Sequence, residues 1–358
     1  MNLSPLRVGV IGLGFIGRAH VDALRRIPGV QVLAVAGSSQ RIVDQANQLA
    51  IPRAYADYHD LLADADIDVV HNCTPNSLHY AINRATLEAG KACFAEKPLT
   101  VTTSEAADLV TLARSTHAHV AVNFNHRGFP QVQHARALIA AGQLGQVYAV
   151  HGSYLQDWLL YATDWNWRVD PRLGGPSRAV ADIGSHWMDL AQSVSGSNIV
   201  EVMADLHTAL PDRASEDFAS VLLHFANGAH GVFSVSEISA GRKNRLTLEV
   251  DAERGALEWN SEDGERLWVG SRDRAAEFGQ RDPRLAVVGG VSSLPAGHAE
   301  GWVDALRTTI AGFYTTLRTD APPEPWVATW EDGQRAVALT EAILTSHTQR
   351  RWLAVTST

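Results

Sequence analysis

Short apolar runs alternate with amphipathic segments over the first 125 residues of the chain. The apolar runs predict strands at 7–11, 30–35, 67–73, 92–95 and 120–123. The segments between them carry apolar residues at helical spacing and predict helices at 15–27, 57–62, 77–89 and 106–115. Strands that alternate with helices are typical of a parallel sheet covered by helices on both faces. The pattern therefore predicts an α/β domain over residues 1–125.

The pattern changes after residue 125. One helix is predicted at 130–141, and strands then follow one another at 147–154, 199–206, 218–225, 231–236 and 245–250. Two late helices are predicted at 302–317 and 331–346, separated by the proline-rich run 321–325. Runs of strands after βα units indicate an α+β domain with a largely antiparallel sheet. We place this second domain at residues 126–358.

Composition narrows the class of protein. The chain has 358 residues, of which 46% are hydrophobic and 19% charged, as expected for packed domains rather than a disordered chain. Its net charge of -9 and the absence of a long basic run argue against binding to nucleic acid or an anionic membrane. No run of 18 apolar residues occurs, and a strand begins at Arg7, so we expect no signal peptide. The partner is expected to be a small molecule.

The two cysteines, Cys73 and Cys93, lie in apolar strand-like runs, where buried and inert thiols are usual. This is the pattern of a protein in a reducing compartment, and we expect a cytoplasmic protein. The histidines follow no H-E-x-x-H pattern and no cysteine-rich ligand pattern is present, so no metal is expected.

A glycine-rich turn follows the first predicted strand and opens the first predicted helix. The segment is Gly12-Leu-Gly14-Phe-Ile-Gly17, which has the G-x-G-x-x-G spacing in the strand–turn–helix context that this pattern requires. Such a turn binds a dinucleotide pyrophosphate, here with the backbone amides of Phe15 and Ile16 as donors. The alternative is a glycine-rich turn that binds no ligand.

The end of the second strand bears on the choice of dinucleotide. A carboxylate there accepts hydrogen bonds from the ribose hydroxyls of NAD and repels the 2′-phosphate of NADP. The segment Val35-Ala-Gly-Ser-Ser-Gln-Arg41 contains no acid, whereas Ser38, Ser39 and Arg41 are able to bind a phosphate. NADP is therefore favoured over NAD. The alternative for Arg41 is a solvated side chain of the next helix.

Two further motifs carry polar chemistry. Glu96-Lys97-Pro98 ends a predicted strand of the first domain, and Asp182-Ile-Gly-Ser-His186 lies far downstream in the second. Together with the glycine turn, these motifs resemble the Gfo/Idh/MocA family, the group of glucose–fructose oxidoreductase and inositol dehydrogenase. The likeness extends over nearly the whole chain and includes Thr74-Pro75-Asn76 with His79, the Arg127 segment, Gly142-Gln-Leu-Gly145 and Asp332-Gly333.

The resemblance implies a Rossmann domain joined to an open-faced, mainly antiparallel sheet domain, with assembly through the sheet into a homodimer or homotetramer. It also implies that Lys97, Asp182 and His186 are catalytic. Cofactor contacts are implied for Thr74, Asn76, His79, Glu96 and Lys97, and a place in the substrate site for Arg127.

The residues themselves support the catalytic assignment. Lys97 ends a parallel strand, where ligands bind in open α/β sheets, and Asp182 and His186 are spaced so that a helix presents both on one face. Oxidation of an alcohol removes a hydroxyl proton as hydride leaves carbon, which suits His186. Lys97 would stabilise alkoxide character on the same oxygen, and Asp182 would bind a neighbouring hydroxyl. Taken singly, each has a structural alternative: a satisfied buried histidine, a surface lysine and a helix-capping aspartate.

An aromatic segment lies between the two motifs and includes Trp158, Trp165, Trp167 and Arg168. Aromatic planes with interleaved polar groups suit the rings and hydroxyls of sugars, although Trp158 and Trp165 are alternatively core residues under a loop. No cluster of basic residues accompanies the motifs, so an unphosphorylated sugar, glycoside or cyclitol is expected. Two other functions remain open, a reductase of a non-sugar carbonyl compound and a non-catalytic dinucleotide-binding sensor.

Overall fold

The computed structural model describes residues 5–38 and 41–356. The chain forms two compact units. The first contains Met1–Asn125 and Leu306–Gln334, and the second contains His126–Ala305 and Arg335–Thr358. Ser39, predicted to contact a phosphate, lies outside the described residues.

The first unit is built on a six-stranded parallel sheet with the order β3-β2-β1-β4-β5-β6. Its strands are β1 (Leu6–Ile11), β2 (Val30–Ala36), β3 (Arg53–Tyr55), β4 (Val69–Asn72), β5 (Ala92–Ala95) and β6 (Val120–Val122). Its connecting helices are α1 (Phe15–Arg25), α2 (Ile42–Gln48), α3 (Tyr58–Ala63), α4 (His79–Glu88) and α5 (Thr103–Thr116). All five strand pairings in this sheet are parallel, so the predicted βα architecture is confirmed.

The segment 306–334 also packs in the first unit, although the sequence assigned it to the C-terminal domain. The backbone of Val122 in β6 pairs with Ala328, and the indole of Trp330 donates to the carbonyl of Ala121 at 3.1 Å. The ring of Phe313 packs edge-on against Phe94 of β5. The segment thus completes the far edge of the parallel sheet, a contact that local periodicity does not specify.

The second unit contains a nine-stranded sheet with the order β14-β13-β12-β11-β7-β10-β9-β8-β15. Its strands are β7 (Val147–Leu155), β8 (Ile199–His207), β9 (Phe218–Phe225), β10 (His230–Ser236), β11 (Arg245–Ala252), β12 (Gly255–Asn260), β13 (Arg266–Ser271), β14 (Arg274–Gln280) and β15 (Leu353–Ala354). Its helices are α6 (Pro130–Ala140), α7 (Pro171–Gly174), α8 (Ser185–Ser195) and α9 (Ala286–Gly289). Two longer helices, α10 (Trp302–Thr319) and α11 (Trp330–Gln349), contribute residues to both units.

Alternation along the strands determines which face of this sheet is buried. Leu246, Leu248 and Val250 of β11 belong to the core, whereas the residues between them are partly exposed. The buried face packs on α8, where the indole of Trp187 stacks on Phe233 at 4.6 Å between ring centroids. Among the strands that the structure describes in this sheet, only β7 and β10 pair in parallel, and the other neighbours are antiparallel. The predicted α/β plus α+β fold is confirmed.

Three local features of the chain are the start of α5, the two cysteines and the apolarity of the helices. Thr102 and Glu105 form a capping box at the start of α5. Cys73 and Cys93 are free, buried thiols, and burial raises the pKa of both. Within the described residues, no helix is both long and apolar enough to cross a membrane.

Candidate active site

The glycine turn joins β1 to α1. Gly12 has a φ of +91°, and a Cβ there would lie 2.6 Å from the carbonyl oxygen of Cys73. A Cβ at Gly17 would lie 1.9 Å from the carbonyl oxygen of Gly12. Gly14 is different, because an added Cβ would meet no atom within 4 Å. Gly12 and Gly17 are thus required by the turn itself, while open space lies against the backbone at Gly14.

The first turn of α1 contains Phe15 and Ile16, with Gly14 as its N-cap residue and no side-chain cap. Helix N-termini present backbone N–H groups and a partial positive charge. The open space at Gly14 therefore adjoins the part of the helix that attracts an anion. These features fit the pyrophosphate of a dinucleotide.

The end of β2 has no carboxylate. β2 ends at Ala36, Ser38 is exposed, and the exposed Arg41 directly precedes α2. The nearest acid downstream is Asp44, in the first turn of α2. Contact of Ser38 or Arg41 with a phosphate stays a prediction.

The loop after β4 contains the predicted Thr74 and Asn76, and the predicted His79 begins α4. His79 is buried, and its Nδ1 and Nε2 lie 2.6 Å from the carbonyl oxygen of Pro98 and 2.8 Å from that of Thr74. Asn76 is buried and opens a short helical turn. His79 thus links the loop after β4 to the Lys97-Pro98 segment, which indicates that the side chain shapes the loop. Direct contact with the cofactor stays a prediction for all three residues.

Glu96 and Lys97 follow β5, and the Lys97–Pro98 peptide is cis. The Glu96 carboxylate is buried, with Oε1 2.9 Å from His20 Nε2 and 2.5 Å from Asn123 Nδ2. Its Oε2 accepts from the backbone N–H of Lys97 at 3.2 Å. Burial would raise the pKa of Glu96, but the hydrogen bonds from His20 and Asn123 and the positive charge of Lys97 act against burial, and the pKa is lowered. An ionised Glu96 therefore holds the backbone of Lys97, whose side chain is partly exposed.

In the second unit, a π-helical turn over Val180–Gly184 runs directly into α8. Asp182 lies within this turn and His186 one turn later, and both are buried. The segment is helical, although its first turn is wider than an α-helical turn. π-Turns of this kind occur frequently at functional sites. Asp182 does not cap the helix, so the alternative of a capping aspartate is wrong.

Arg168 joins the aromatic segment to Asp182. Its Nε lies 3.0 Å from Asp182 Oδ1, and its guanidinium lies 4.3 Å from the ring centroid of Trp167. The stacked and ion-paired arginine positions the loop beside the predicted catalytic aspartate. The structure therefore brings together three of the residues that the sequence singled out.

The other two tryptophans differ from each other. Trp165 is 74% exposed, so it is not a core residue. Trp158 is partly buried, and its indole N–H donates to Gln156 Oε1 at 2.7 Å. An exposed aromatic plane is available at Trp165, as a sugar-binding surface requires.

Two partners of α8 were not anticipated from the sequence. His126 is buried, and its Nδ1 lies 3.4 Å from Nδ1 of His186. The predicted substrate residue Arg127 instead donates to both carboxylate oxygens of Asp189, at 2.8 and 2.5 Å. This buried pair fixes the segment before α6 to α8, so Arg127 positions the helix that carries His186. Its direct contact with substrate stays a prediction.

A buried ionic group lies nearby in the same unit. Arg178 hydrogen-bonds to Asp217, and its Nε lies 3.0 Å from Glu237 Oε2, with all three side chains fully buried. Burial and the charge of Asp182 raise the pKa of Glu237 to about 8, against the effect of Arg178. The sequence contained a sign of this buried ionic group, because Glu237 directly follows the buried end of β10. A charged side chain in such a place needs a partner of opposite charge.

The parallel sheet with its glycine turn and the sheet domain with its buried Asp182 and His186 define a dinucleotide-dependent oxidoreductase. Residues 6–124 match the family model described as "Oxidoreductase family, NAD-binding Rossmann fold", and residues 132–258 match the "GFO/IDH/MocA C-terminal domain". The chain belongs to the Gfo/Idh/MocA family and is an oxidoreductase with an NAD-binding Rossmann fold, which confirms the resemblance.

Relatives with named activities give further detail. The chain is 28% identical to levoglucosan dehydrogenase of Pseudarthrobacter phenanthrenivorans, over 99% of both proteins. A solved structure of levoglucosan dehydrogenase with NADH and L-sorbose has a TM-score of 0.92, 28% identity, and coverage of 99% of this chain and 100% of that chain. The chain is also 30% identical to trans-1,2-dihydrobenzene-1,2-diol dehydrogenase of Bos taurus, over 68% of this chain and 71% of that protein.

Proposed function

We propose that this protein transfers a hydride between a nicotinamide dinucleotide and a hydroxyl-bearing or carbonyl carbon of an unphosphorylated sugar, glycoside or cyclitol. The observation that carries the proposal is the ion pair between Arg168 and Asp182, which ties an aromatic loop to the helix of His186. Levoglucosan dehydrogenase, similar over nearly the whole chain, is named for an anhydrosugar.

Each catalytic residue has a separate role in this proposal. The nicotinamide, when bound, supplies the hydride acceptor for oxidation. His186 accepts the hydroxyl proton, and Lys97 stabilises the negative charge that develops on the substrate oxygen. Asp182, held by Arg168, binds a neighbouring hydroxyl. A substrate with adjacent hydroxyl groups satisfies both the proton acceptor and the aspartate.

A substrate panel tests the proposal. Anhydrosugars, pyranose glycosides, cyclitols and aromatic dihydrodiols would be supplied with NAD and NADP in parallel, and nicotinamide absorbance recorded. We expect turnover with at least one sugar or cyclitol. Activity confined to dihydrodiols or non-sugar carbonyl compounds would favour the reductase alternative, which the dihydrodiol dehydrogenase relative motivates. Dinucleotide binding without any turnover would favour the sensor.

The cofactor preference is a separate prediction. Because no acid follows β2 before α2, we infer that the protein accepts NADP at least as well as NAD. Ser38→Asp, at an exposed position just after β2, should shift kcat/KM towards NAD by about tenfold or more, since a carboxylate repels a 2′-phosphate. The measurement is kcat/KM for both cofactors, with Ala50→Asp as a control outside the turn. A wild-type preference for NAD of tenfold or more would contradict the inference.

We also propose that the exposed face of the nine-stranded sheet is a homo-oligomer interface. Leu222 and Val232 are directly paired on β9 and β10, and they are 47% and 44% exposed. A paired apolar patch on a sheet face favours burial against a second copy.

Val232→Asp should weaken this assembly, because it would bury a charge at the interface. Light scattering should give a multiple of 38.8 kDa for the wild type and a larger monomer fraction for the variant. Val303→Asp, which places the same charge at an exposed position of α10, is the matched control. A wild-type protein that is monomeric at micromolar concentration would show the proposal to be wrong.

A further inference from the structure

A chain of buried polar side chains crosses the core of the first unit and ends at Glu96. His71 Nε2 lies 3.1 Å from the hydroxyl of Tyr314, and His71 Nδ1 lies 2.9 Å from His20 Nδ1. His20 Nε2 lies 2.9 Å from Glu96 Oε1. The side chains of Tyr314, His71 and His20 are fully buried, in a region otherwise filled by rings such as Phe94.

Counting hydrogens gives this chain a direction. The carboxylate of Glu96 only accepts, so His20 Nε2 carries a proton. Two Nδ1 atoms at 2.9 Å share one hydrogen, which lies on either His20 or His71. If it lay on His20, that ring would be a buried cation, and His71 would donate from Nε2 to the oxygen of Tyr314. The hydroxyl hydrogen of Tyr314 would then have no acceptor among the contacts described, a costly arrangement for a buried group.

The opposite arrangement satisfies every hydrogen. Tyr314 donates to His71 Nε2, His71 Nδ1–H donates to His20 Nδ1, and His20 Nε2–H donates to Glu96. Both imidazoles are then neutral, in opposite tautomers. Burial lowers the pKa of His71, which is a neutral ring in either arrangement.

We propose that Tyr314, His71 and His20 form a directional hydrogen-bond chain whose function is to position Lys97 through Glu96. The connection to Lys97 is the hydrogen bond from its backbone N–H to Glu96 Oε2. His20, His71 and Tyr314 are therefore positioning residues, none of which needs to touch substrate. The inference rests on the proposed function for the role of Lys97, but the direction of the chain is independent of it.

The tautomers provide a test without turnover. In protein labelled with ¹⁵N at its 15 histidines, two-bond nitrogen–proton correlations distinguish Nδ1–H from Nε2–H. His20→Gln and His71→Asn assign the two signals by their loss. We expect His20 to be protonated at Nε2 alone and His71 at Nδ1 alone. A doubly protonated His20, or a proton on Nε2 of His71, would overturn the proposed direction.

Amide substitutions test the link to Lys97. The Asn amide resembles the Nδ1 side of imidazole and the Gln amide the Nε2 side. His20→Gln should therefore retain about tenfold more kcat than His20→Asn, and His71→Asn about tenfold more than His71→Gln, because a displaced catalytic group lowers the rate steeply. If the two positions required packing volume alone, the larger Gln would be favoured at both, rather than Gln at position 20 and Asn at position 71. Equal losses for the two amides at each position, in variants that melt like the wild type, would overturn the positioning role.

Tyr314→Phe removes only the hydroxyl and should lower kcat several-fold with little change in dinucleotide affinity. Tyr80→Phe is its control, since it removes a hydroxyl that donates to Asp108 in the same unit at 3.0 Å, away from Glu96. A Tyr314→Phe enzyme that matches Tyr80→Phe in kcat would exclude the tyrosine from the chain. If the wild type oxidises nothing in the substrate panel, the proposed function fails. The tautomer measurement would still show whether the hydrogen-bond chain from Tyr314 to Glu96 has the proposed direction.

Discussion

Turnover should fall by roughly 10²–10⁴-fold when His186 is replaced by alanine, because a positioned proton-transfer group has about this effect on rate. His186 is buried on α8, which the Arg127–Asp189 pair holds in place, so the loss should be in kcat. Dinucleotide affinity should stay nearly unchanged, since the glycine turn lies in the other unit. The measurements are steady-state kinetics and fluorescence titration with NADH and NADPH.

Lys97→Ala should reduce turnover at least as much, because it removes a positive charge from the developing alkoxide. The double variant should lose much less than the product of the single losses, since the two groups act as a unit. His59→Ala, at an exposed histidine of α3, is the control.

The pH profile of His186→Ala should also lack the ionisation that a histidine contributes near neutrality. A His186→Ala enzyme with near-normal turnover and an unchanged pH profile would transfer the proton-carrier role to Lys97.

Dinucleotide binding should weaken by about 100-fold or more when Gly14 is replaced by valine. A side chain at Gly14 would enter open space, so the fold should tolerate it. The same side chain would fill the volume that the pyrophosphate requires against the backbone, at the cost of its hydrogen bonds to the helix N-terminus. Melting curves and dinucleotide titration separate the two effects.

Gly301→Val is the matched control for this prediction, because an added Cβ also meets nothing within 4 Å at Gly301, in the second unit. It should leave dinucleotide affinity unchanged. Normal affinity in a folded Gly14→Val variant would show that the pyrophosphate does not approach this turn, and the cofactor assignment of Gly12, Gly14 and Gly17 would be wrong.

The amino-acid sequence by itself determined the helices and strands in which buried residues recur at a regular spacing along the chain. Five of the six strands of the parallel sheet, helices α1, α4 and α5, and five strands of the larger sheet were predicted close to their observed bounds, because one buried face repeats along each of them. The three-residue strand β3 was not predicted, since it is too short to show a period. β14 was not predicted, since nearly all of its residues are exposed and no alternation marks it. The glycine turn and the position of Lys97 at a strand end were likewise predictable, because both depend on neighbours within a few residues.

Only the tertiary structure decided which distant residues share an environment. The segment 306–334 joined the first unit through contacts with β5 and β6, although its helical pattern is equally suited to either domain. His20 and His71 are 51 positions apart, and Tyr314 lies 243 positions beyond His71. Nothing in the spacing of these residues marks them as partners. A polar group buried far from water needs a hydrogen-bond partner, but which partner it finds depends on how the sheet, α1 and α10 pack together.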